Sequence, residues 1–456
     1  MKGSLSLRSV MSASSTTGGS GGGGVNRIRD YGNFLSRVAK RRAPSAIRSL
    51  QPLMQIPGMI SLGGGVPNPE YFPVESVQVK LKSNDVLTLE GKDMETALSY
   101  SSSYGIPELV EWLKDFQERE HKAPYPSRKD WHVCVTSGSA DANCKAFEML
   151  INEGDYVFTE DPTYSGSLSA IKPLGANIIG VETDGEGLIP SHLRSLLQTW
   201  PAAQKKPKFV YIIPTGQNPS GSTLTLDRKK EIYSLASQYD LLILEDDPYY
   251  YLQYGGAEGG RVPSFLSMDE EGRVIRFDSF SKIISSGFRL GWATGPTPLI
   301  ERLQLHQQVS SLHVSGISQM ILLKMLQHWG HEGFHRHVAV VEQGYKERRD
   351  KFVELADKYL TGLAEWTVPS AGMFLWLKLL SQQVDESTGK KLPIHSSDTL
   401  IKEKAVNAKV LLVPGSSFSP SDKPSPYVRA SFSTASPAEM EEALKRLVKL
   451  IKEDQS

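Results

Sequence analysis

Five short apolar runs constrain this chain more than any other feature: residues 132–136, 156–159, 208–213, 241–244 and 274–277. A strand wet on one face alternates apolar with polar residues, whereas a strand covered on both faces reads as a continuous apolar run. Helix-length stretches such as 226–239 separate the runs, which predicts an α/β fold: a mostly parallel central sheet flanked by helices. Each run passes straight into a polar turn, and ligands on such sheets gather at the carboxyl ends of the strands. Ser139, Asn218, Asp246 and Lys282 all fall at those ends.

The last run leads into Asp278-Ser279-Phe280-Ser281-Lys282, followed by a second polar punctuation at Gly287-Phe288-Arg289-Leu290-Gly291-Trp292. A lysine just past a buried strand, walled by small hydroxyl residues, is placed to act as a nucleophile, because its amine forms imines with carbonyls. Desolvation and a neighbouring cation both ease loss of its proton, and Arg289 is the candidate neighbour. A Ser-Lys pair alone is a weak signal, since most lysines are solvated charges. What accompanies it carries the argument.

At 456 residues the chain exceeds what one hydrophobic core usually organises. Lys+Arg and Asp+Glu are equal at 51 each, so no basic field is available for nucleic acid, and the expected ligand is small. Cys134 and Cys144 are too few for a disulfide framework or a structural zinc site and suit a reducing, matrix-like compartment. No apolar run reaches membrane-spanning length. Residues 1–29 hold Ser, Gly and Thr with basic residues and no acid, the composition of a disordered extension or a mitochondrial transit peptide. The cytoplasm is the alternative location.

Ordered structure is expected from Asp30. Residues 45–55 read as a short helix carrying Arg48, and Ile60 to Pro69 as a strand ending in a glycine-rich turn. Pro107 opens a helix with Leu109, Trp112, Leu113 and Phe116 at helical spacing. After Pro298 the chain reads as helical to about Leu363. Short strands at 373–379, 410–413 and 428–432 and a closing helix at 437–452 then predict a smaller α+β domain. The expected division is a gating segment at 30–70, a large cofactor-binding domain at 71–310 and a small domain at 311–456. His328, His331, His335 and His337 invite a metal reading, but no third ligand is evident and glycines interrupt the helix; a solvated helix junction is expected, with no metal.

Tyr211-Ile212-Ile213-Pro214-Thr215-Gly216-Gln217-Asn218-Pro219 and Leu244-Glu245-Asp246-Asp247-Pro248-Tyr249-Tyr250 join the lysine segment in a set of motifs. The set resembles the class I, fold-type I aminotransferases that depend on pyridoxal 5'-phosphate (PLP), over the chain from about Asn33 onward. The resemblance implies that Lys282 holds PLP as an imine and shuttles the substrate proton. It implies that Asp246 keeps the pyridine nitrogen protonated, making the ring an electron sink, while Asn218 and Tyr249 bond the phenolic oxygen and Tyr164 stacks on the ring. The phosphate is assigned to the turn at Ser139 and Ala140 with Ser279, Ser281 and Arg289, at a helix N-terminus. The family reads Gly-Ser-Gln-Gln at this turn; this chain has Gly138-Ser139-Ala140-Asp141, which loses a glutamine donor and brings in an acid. Tyr100 matches a tyrosine that reaches the neighbouring subunit's phosphate, which implies a homodimer with shared sites. Arg429 is assigned the substrate α-carboxylate, which its planar fork can hold bidentately.

Within the family, Pro44 to Arg48, Ile60 to Pro69, Ala371 to Trp376 and Ser425 to Ser433 are most similar to the kynurenine/α-aminoadipate aminotransferase subgroup. In that subgroup the residue at Arg48 meets a distal carboxylate, and Gly65, Phe374 and Phe418 line the pocket. Expected substrates are L-α-aminoadipate, L-kynurenine or aromatic amino acids, with 2-oxoglutarate or another 2-oxo acid as acceptor. A general aromatic aminotransferase and a PLP-dependent lyase are the alternatives.

Overall fold

The computed structural model describes residues 27–47, 50, 53, 56–63, 65–255 and 260–454. Arg48 and most of the expected helix at 45–55 lie outside the described residues. An antiparallel hairpin of β1 (Ser76–Lys80) and β2 (Val86–Glu90) precedes the main body. The main sheet has eight strands: β3 (Trp131–Thr136), β4 (Tyr156–Asp161), β5 (Asn177–Asp184), β6 (Gly187–Leu188), β7 (Phe209–Ile212), β8 (Leu242–Asp246), β9 (Val274–Ser279) and β10 (Gly291–Pro296). They lie in the order β3-β10-β9-β8-β7-β4-β5-β6. Pairing is parallel from β5 through β4, β7 and β8 to β9. Every residue of β7, β8 and β9 is buried, as a sheet covered by helices on both faces requires.

β10 departs from the sequence reading. Gly291-Trp292 was expected to close a polar turn, but it opens a fully buried strand that runs antiparallel between β3 and β9. Gly-Trp-Ala-Thr-Gly-Pro has no β-branched run to mark it; pairing on both sides and burial of Trp292 override the weak propensity. β5 also has no counterpart in the sequence reading, because partly exposed positions break its apolar run.

Beyond the sheet, a helix at Thr297–Ser310 and a long one at Gly316–Leu360 replace the single expected helical stretch. Leu312, at φ +67°, separates them. Gly330, at φ +60°, kinks the second, whereas Gly333 stays helical. The four histidines there turn to separate partners: His328 to Asp85, His331 onto the Trp112 ring, His335 to Glu120 and His337 to the Ile283 carbonyl. A second sheet follows, made of β11 (Ala364–Glu365), β12 (Phe374–Val384), β13 (Lys391–Pro393), β14 (Val413–Pro414) and β15 (Tyr427–Ser431). The expected strand at 410–413 shrinks to β14, because only Val413 and Pro414 find partners on β15. The helix Pro437–Asp454 closes the chain as expected.

The two sheets are fastened at one point by a pair of glycines set back to back. Gly216 (φ +51°), in the turn after β7, and Gly372 (φ +79°), just before β12, both adopt conformations that disfavour a side chain. A Cβ on Gly216 would stand 2.6 Å from the Gly372 Cα and nitrogen. Gly372 also donates to the Leu252 carbonyl at 3.0 Å, tying the same point to the segment after β8. Gly216→Ala should therefore lower unfolding free energy by on the order of 3 kcal/mol, summing overpacking and left-handed strain. Urea denaturation of the apo-protein measures it.

Candidate active site

Five strand ends of the large sheet and two strands of the smaller one converge on a cavity of about 360 Å³. β3 ends in Gly138, whose φ of +85° turns the chain into the helix Ser139–Leu150. This leaves unpaired backbone N–H groups of Ser139 and Ala140 at the cavity wall, at the positive end of the helix dipole. Arg289 is itself held at φ +52° and lies across this turn, donating to the Ser137 carbonyl at 3.0 Å and the Ser286 carbonyl at 3.1 Å. A Cβ on Gly138 would fall 2.8 Å from its guanidinium. Ser279, the last residue of β9, and Ser281, in the turn beyond it, add hydroxyls to the same wall. Asp141, the acid that departs from the family pattern, does not stand free. It pairs with the buried Lys145 ammonium one turn on and accepts from the Ser137 N–H at 3.0 Å.

Asp246, the last residue of β8, is buried and lines the cavity. One of its oxygens accepts from Tyr211 Oη at 2.6 Å and Asn143 Nδ2 at 2.7 Å. The other, Oδ1, is buried with no partner. Burial raises its pKa to about 6, against the lowering effect of the Tyr211 and Asn143 hydrogen bonds. A buried carboxylate with one oxygen spoken for and one orphaned fits a protonated ring nitrogen, which would satisfy both the lone pair and the charge.

Lys282 stands in the turn Phe280–Lys282 after β9. Burial lowers its ammonium pKa, and the positive charges of Arg289 and then Arg429 lower it further. The neighbour expected from the sequence is present, and a second, from the smaller sheet, joins it. Arg429 projects from β15 and donates from Nη1 to Asn218 Oδ1 at 2.7 Å. Its guanidinium lies 4.5 Å from the Phe374 ring centre and 5.0 Å from that of Phe418. Two aromatic rings and one amide thus fix its plane. Tyr249 is buried, its phenol pushed well above the usual range chiefly by burial. Tyr164, at the head of a short helix beginning at Ser165, completes the wall.

The cavity gathers Ser139, Ala140, Tyr164, Asn218, Asp246, Tyr249, Ser279, Ser281, Lys282, Arg289, Phe374 and Arg429 from positions 290 residues apart in the chain. Phe418 is fully buried and meets the site through the Arg429 guanidinium. Gly65 and Tyr100 are exposed and lie outside the cavity, with the Tyr100 ring beside His313. Asn143, Tyr211 and Ser286 belong to the site without having been assigned to it from the sequence. Asn143 follows Ser139 by four residues and so shares its helix face, a spacing that could have exposed it. Tyr211 carries the only hydroxyl in an otherwise apolar strand.

The family of class I and II aminotransferases matches residues 59–447. The chain belongs to it. It is a PLP-dependent aminotransferase of fold type I, with a large sheet flanked by helices and a smaller sheet, as the sequence led us to expect. The aminotransferase is 45% identical over 437 residues to the mitochondrial kynurenine/alpha-aminoadipate aminotransferase of Bos taurus, across 93% of this chain and 99% of that one. The crystal structure of aminotransferase Aro8 from Candida albicans superposes with a TM-score of 0.82 at 29% identity, covering 94% of this chain and 100% of the other. The Pyrococcus horikoshii kynurenine aminotransferase, solved with PMP, KYN as substrate and KYA as product, gives 0.72 at 29% identity, covering 94% and 99%. No helix among the described residues is long and apolar enough to cross a membrane.

Proposed function

We propose that the aminotransferase moves the amino group of L-α-aminoadipate, L-kynurenine or an aromatic amino acid to 2-oxoglutarate or another 2-oxo acid. The observation that carries this reading is the Arg429 guanidinium, held between two phenyl rings on the same cavity as Lys282. It is a preorganised receptor for an α-carboxylate beside an amine that can work as a base. The kynurenine and aminoadipate activities in the relatives' names support the substrate class.

In this reading Asp246 takes the ring nitrogen, Asn218 and Tyr249 the phenolic oxygen, Tyr164 the ring face, and the Ser139–Ala140 turn with Ser279, Ser281 and Arg289 the phosphate. Bound PLP supplies a carbonyl carbon that captures the amino group and a ring that accepts an electron pair. Arg429 fixes the substrate carboxylate and so orients its Cα–H. Lys282 Nζ, whose proton affinity is lowered by burial and by two guanidinium charges, removes that proton and later returns it. Phe374 and Phe418 keep water off the Arg429 plane.

Arg48 is proposed to meet the distal carboxylate and Gly65 to line the pocket, both in a gating segment at 30–70. A large domain at 71–310 and a small one at 311–456 complete the proposed division. Ile60, Leu62 and Tyr71 are 87%, 96% and 82% exposed, an apolar surface that supports burial against a second copy. That copy would bring Tyr100 to the partner's phosphate site. Residues 1–29 are proposed to direct the chain to the mitochondrial matrix, in keeping with the mitochondrial relatives. Aromatic walls at Tyr164, Tyr249 and Phe374 favour a second reading, a general aromatic aminotransferase.

One half-turnover experiment separates these. The PLP form is mixed singly with L-α-aminoadipate, L-kynurenine and L-phenylalanine, and conversion of the cofactor absorbance to that of pyridoxamine phosphate is followed. Conversion by the first two, with aminoadipate alone lost in Arg48→Ala, supports the dual-substrate reading. Conversion by phenylalanine without aminoadipate supports the aromatic one. A cofactor that stays bound and unconverted by all three points to a lyase.

A further inference from the structure

Behind Asp246 lies a buried ionic cluster that the proposed chemistry does not use. β8 and β9 pair with Glu245 opposite Arg276 and Asp246 opposite Phe277. Side chains alternate across a sheet, so Glu245 and Asp247 point away from the face that Asp246 presents to the cavity. Arg276 is fully buried on that far face. Its Nη1 lies 3.1 Å from Glu245 Oε1 and 2.9 Å from Asp247 Oδ2. Nη2 lies 2.8 Å from Asp278 Oδ1, and Nε donates to both Asp278 oxygens at 3.1 and 3.0 Å. The Tyr250 ring centre stands 4.8 Å from the guanidinium carbon. Gln117, from the helix Pro107–His121, bonds Asp278 at 3.1 Å, and Glu245 also accepts the N–H groups of Phe265 and Leu266.

One guanidinium therefore grips both chain neighbours of Asp246, Glu245 on β8 and Asp247 just past its end, and, on β9, the residue four places before Lys282. We infer that Arg276 is a positioning residue: by clamping Glu245, Asp247 and Asp278 it fixes Asp246 against Lys282 and sets a permanent positive charge behind Asp246. The inference rests on the roles proposed above for Asp246 and Lys282. Stability alone is a poor account of the cluster. A buried ion cluster is weak evidence for stability, because desolvating its charges can cost as much as their attraction returns. The return is geometric. The same clamp joins the strand that carries the ring-nitrogen partner to the strand that carries the base.

The groups facing Asp246 show why the charge matters. On its own face are Tyr211 from β7, Asn143 from the helix after β3, Tyr249 and Lys282, with Glu160 on β4 acting at longer range. On the far face Asp247 favours protonation of Asp246, while Arg276 opposes it.

The test uses the holoenzyme and three variants, Arg276→Lys, Arg276→Met and Asp247→Asn. Three readouts are taken: PLP retention against pH by equilibrium dialysis, kcat and KM in the amino-donor half-reaction, and Tm. Arg276→Lys keeps the charge but loses the fork. It should retain PLP over the wild-type pH range and lose on the order of ten- to hundred-fold in kcat, as sub-ångström misplacement of reacting groups does, with KM little changed. Arg276→Met should shift the acid limit of PLP retention to higher pH, and Asp247→Asn should shift it to lower pH. Should Arg276→Met fail to fold, the other two carry the test. The inference is overturned if Arg276→Lys lowers Tm while keeping full kcat and Asp247→Asn leaves the acid limit in place, the result of a purely structural ion pair. A wild-type enzyme that retains PLP but converts no amino acid would instead sink the proposed function, and the retention limits would still report on Asp246.

Discussion

Lys282→Ala should yield a folded protein with no measurable transamination. The side chain is partly buried in a turn, and its removal deletes no described hydrogen bond, so Tm of the apo-protein should change little. Activity has two reasons to vanish. On the proposed roles, the amine that would tether the cofactor is gone, and so is the base that would move the Cα proton, a step worth about 10²–10⁴-fold by itself. Arg429, the proposed receptor of the substrate carboxylate, is untouched, so amino-acid binding should survive while kcat falls to the limit of detection. Half-turnover spectra, together with a binding titration of the donor, separate these outcomes. Retention of more than about one per cent of kcat would move the proton-transfer role to another residue.

Asp246→Asn should produce the second large effect, with stability and activity moving in opposite directions. In the apo-protein the Asp246 carboxyl has its pKa raised to about 6 by burial. The native state therefore holds a proton that the unfolded state has already released between about pH 4 and pH 6, and stability falls as pH rises through that window. The full penalty, on the order of 3 kcal/mol, persists at neutral pH and above. Asparagine carries no such penalty. Its carbonyl oxygen can keep both the Tyr211 and Asn143 bonds, so apo Asp246→Asn should be more stable than wild type at pH 8 by up to that amount. It should also be equal to wild type near pH 4. For catalysis the swap is severe. The orphaned acceptor becomes an N–H donor, which cannot hold a protonated ring nitrogen, and loss of preorganised charge at such a point costs about 10²–10³-fold in kcat. Thermal melts across pH and half-reaction rates check both halves. Equal apo stability at pH 8 would mean that Asp246 is already relieved by a partner.

The site was more legible than the sheet that carries it. Asp246 and Asn218 each follow an apolar run and Lys282 follows one broken only by Arg276, and a polar residue at such a boundary is visible without knowing its neighbours. Arg429 was readable as a single basic residue in a strand of the smaller sheet. Its clamp of Phe374, Phe418 and Asn218 was not, because those contacts span up to 211 residues of chain and leave no periodic trace. β10 escaped notice because its evidence is tertiary: pairing on both sides compensates for a glycine-rich run. Asp141 read as a threat to the phosphate site, since its partnership with Lys145, one turn along a helix, was visible only as spacing. Arg276 interrupts the apolar run at 274–277, and its three carboxylates come from β8, the residue just past it, and β9.

The placement of β10 also bears on how the polypeptide reaches this state during synthesis. β3, the first strand of the large sheet to be made, touches that sheet only through β10, the last. A ribosome-bound chain that has not yet released residue 296 can assemble the parallel strands from β4 to β9, but it has nothing on which to hang β3. The helix that follows β3 can still dock on β7 and β8, through Phe147 against Phe209 and the Asn143–Asp246 hydrogen bond, so the delay falls on β3 itself. Contacts of such long sequence separation form late because loop closure must come first. Nascent chains ending before Pro296 should therefore expose an unpaired β9 edge, which makes that interval of translation the one most dependent on a chaperone.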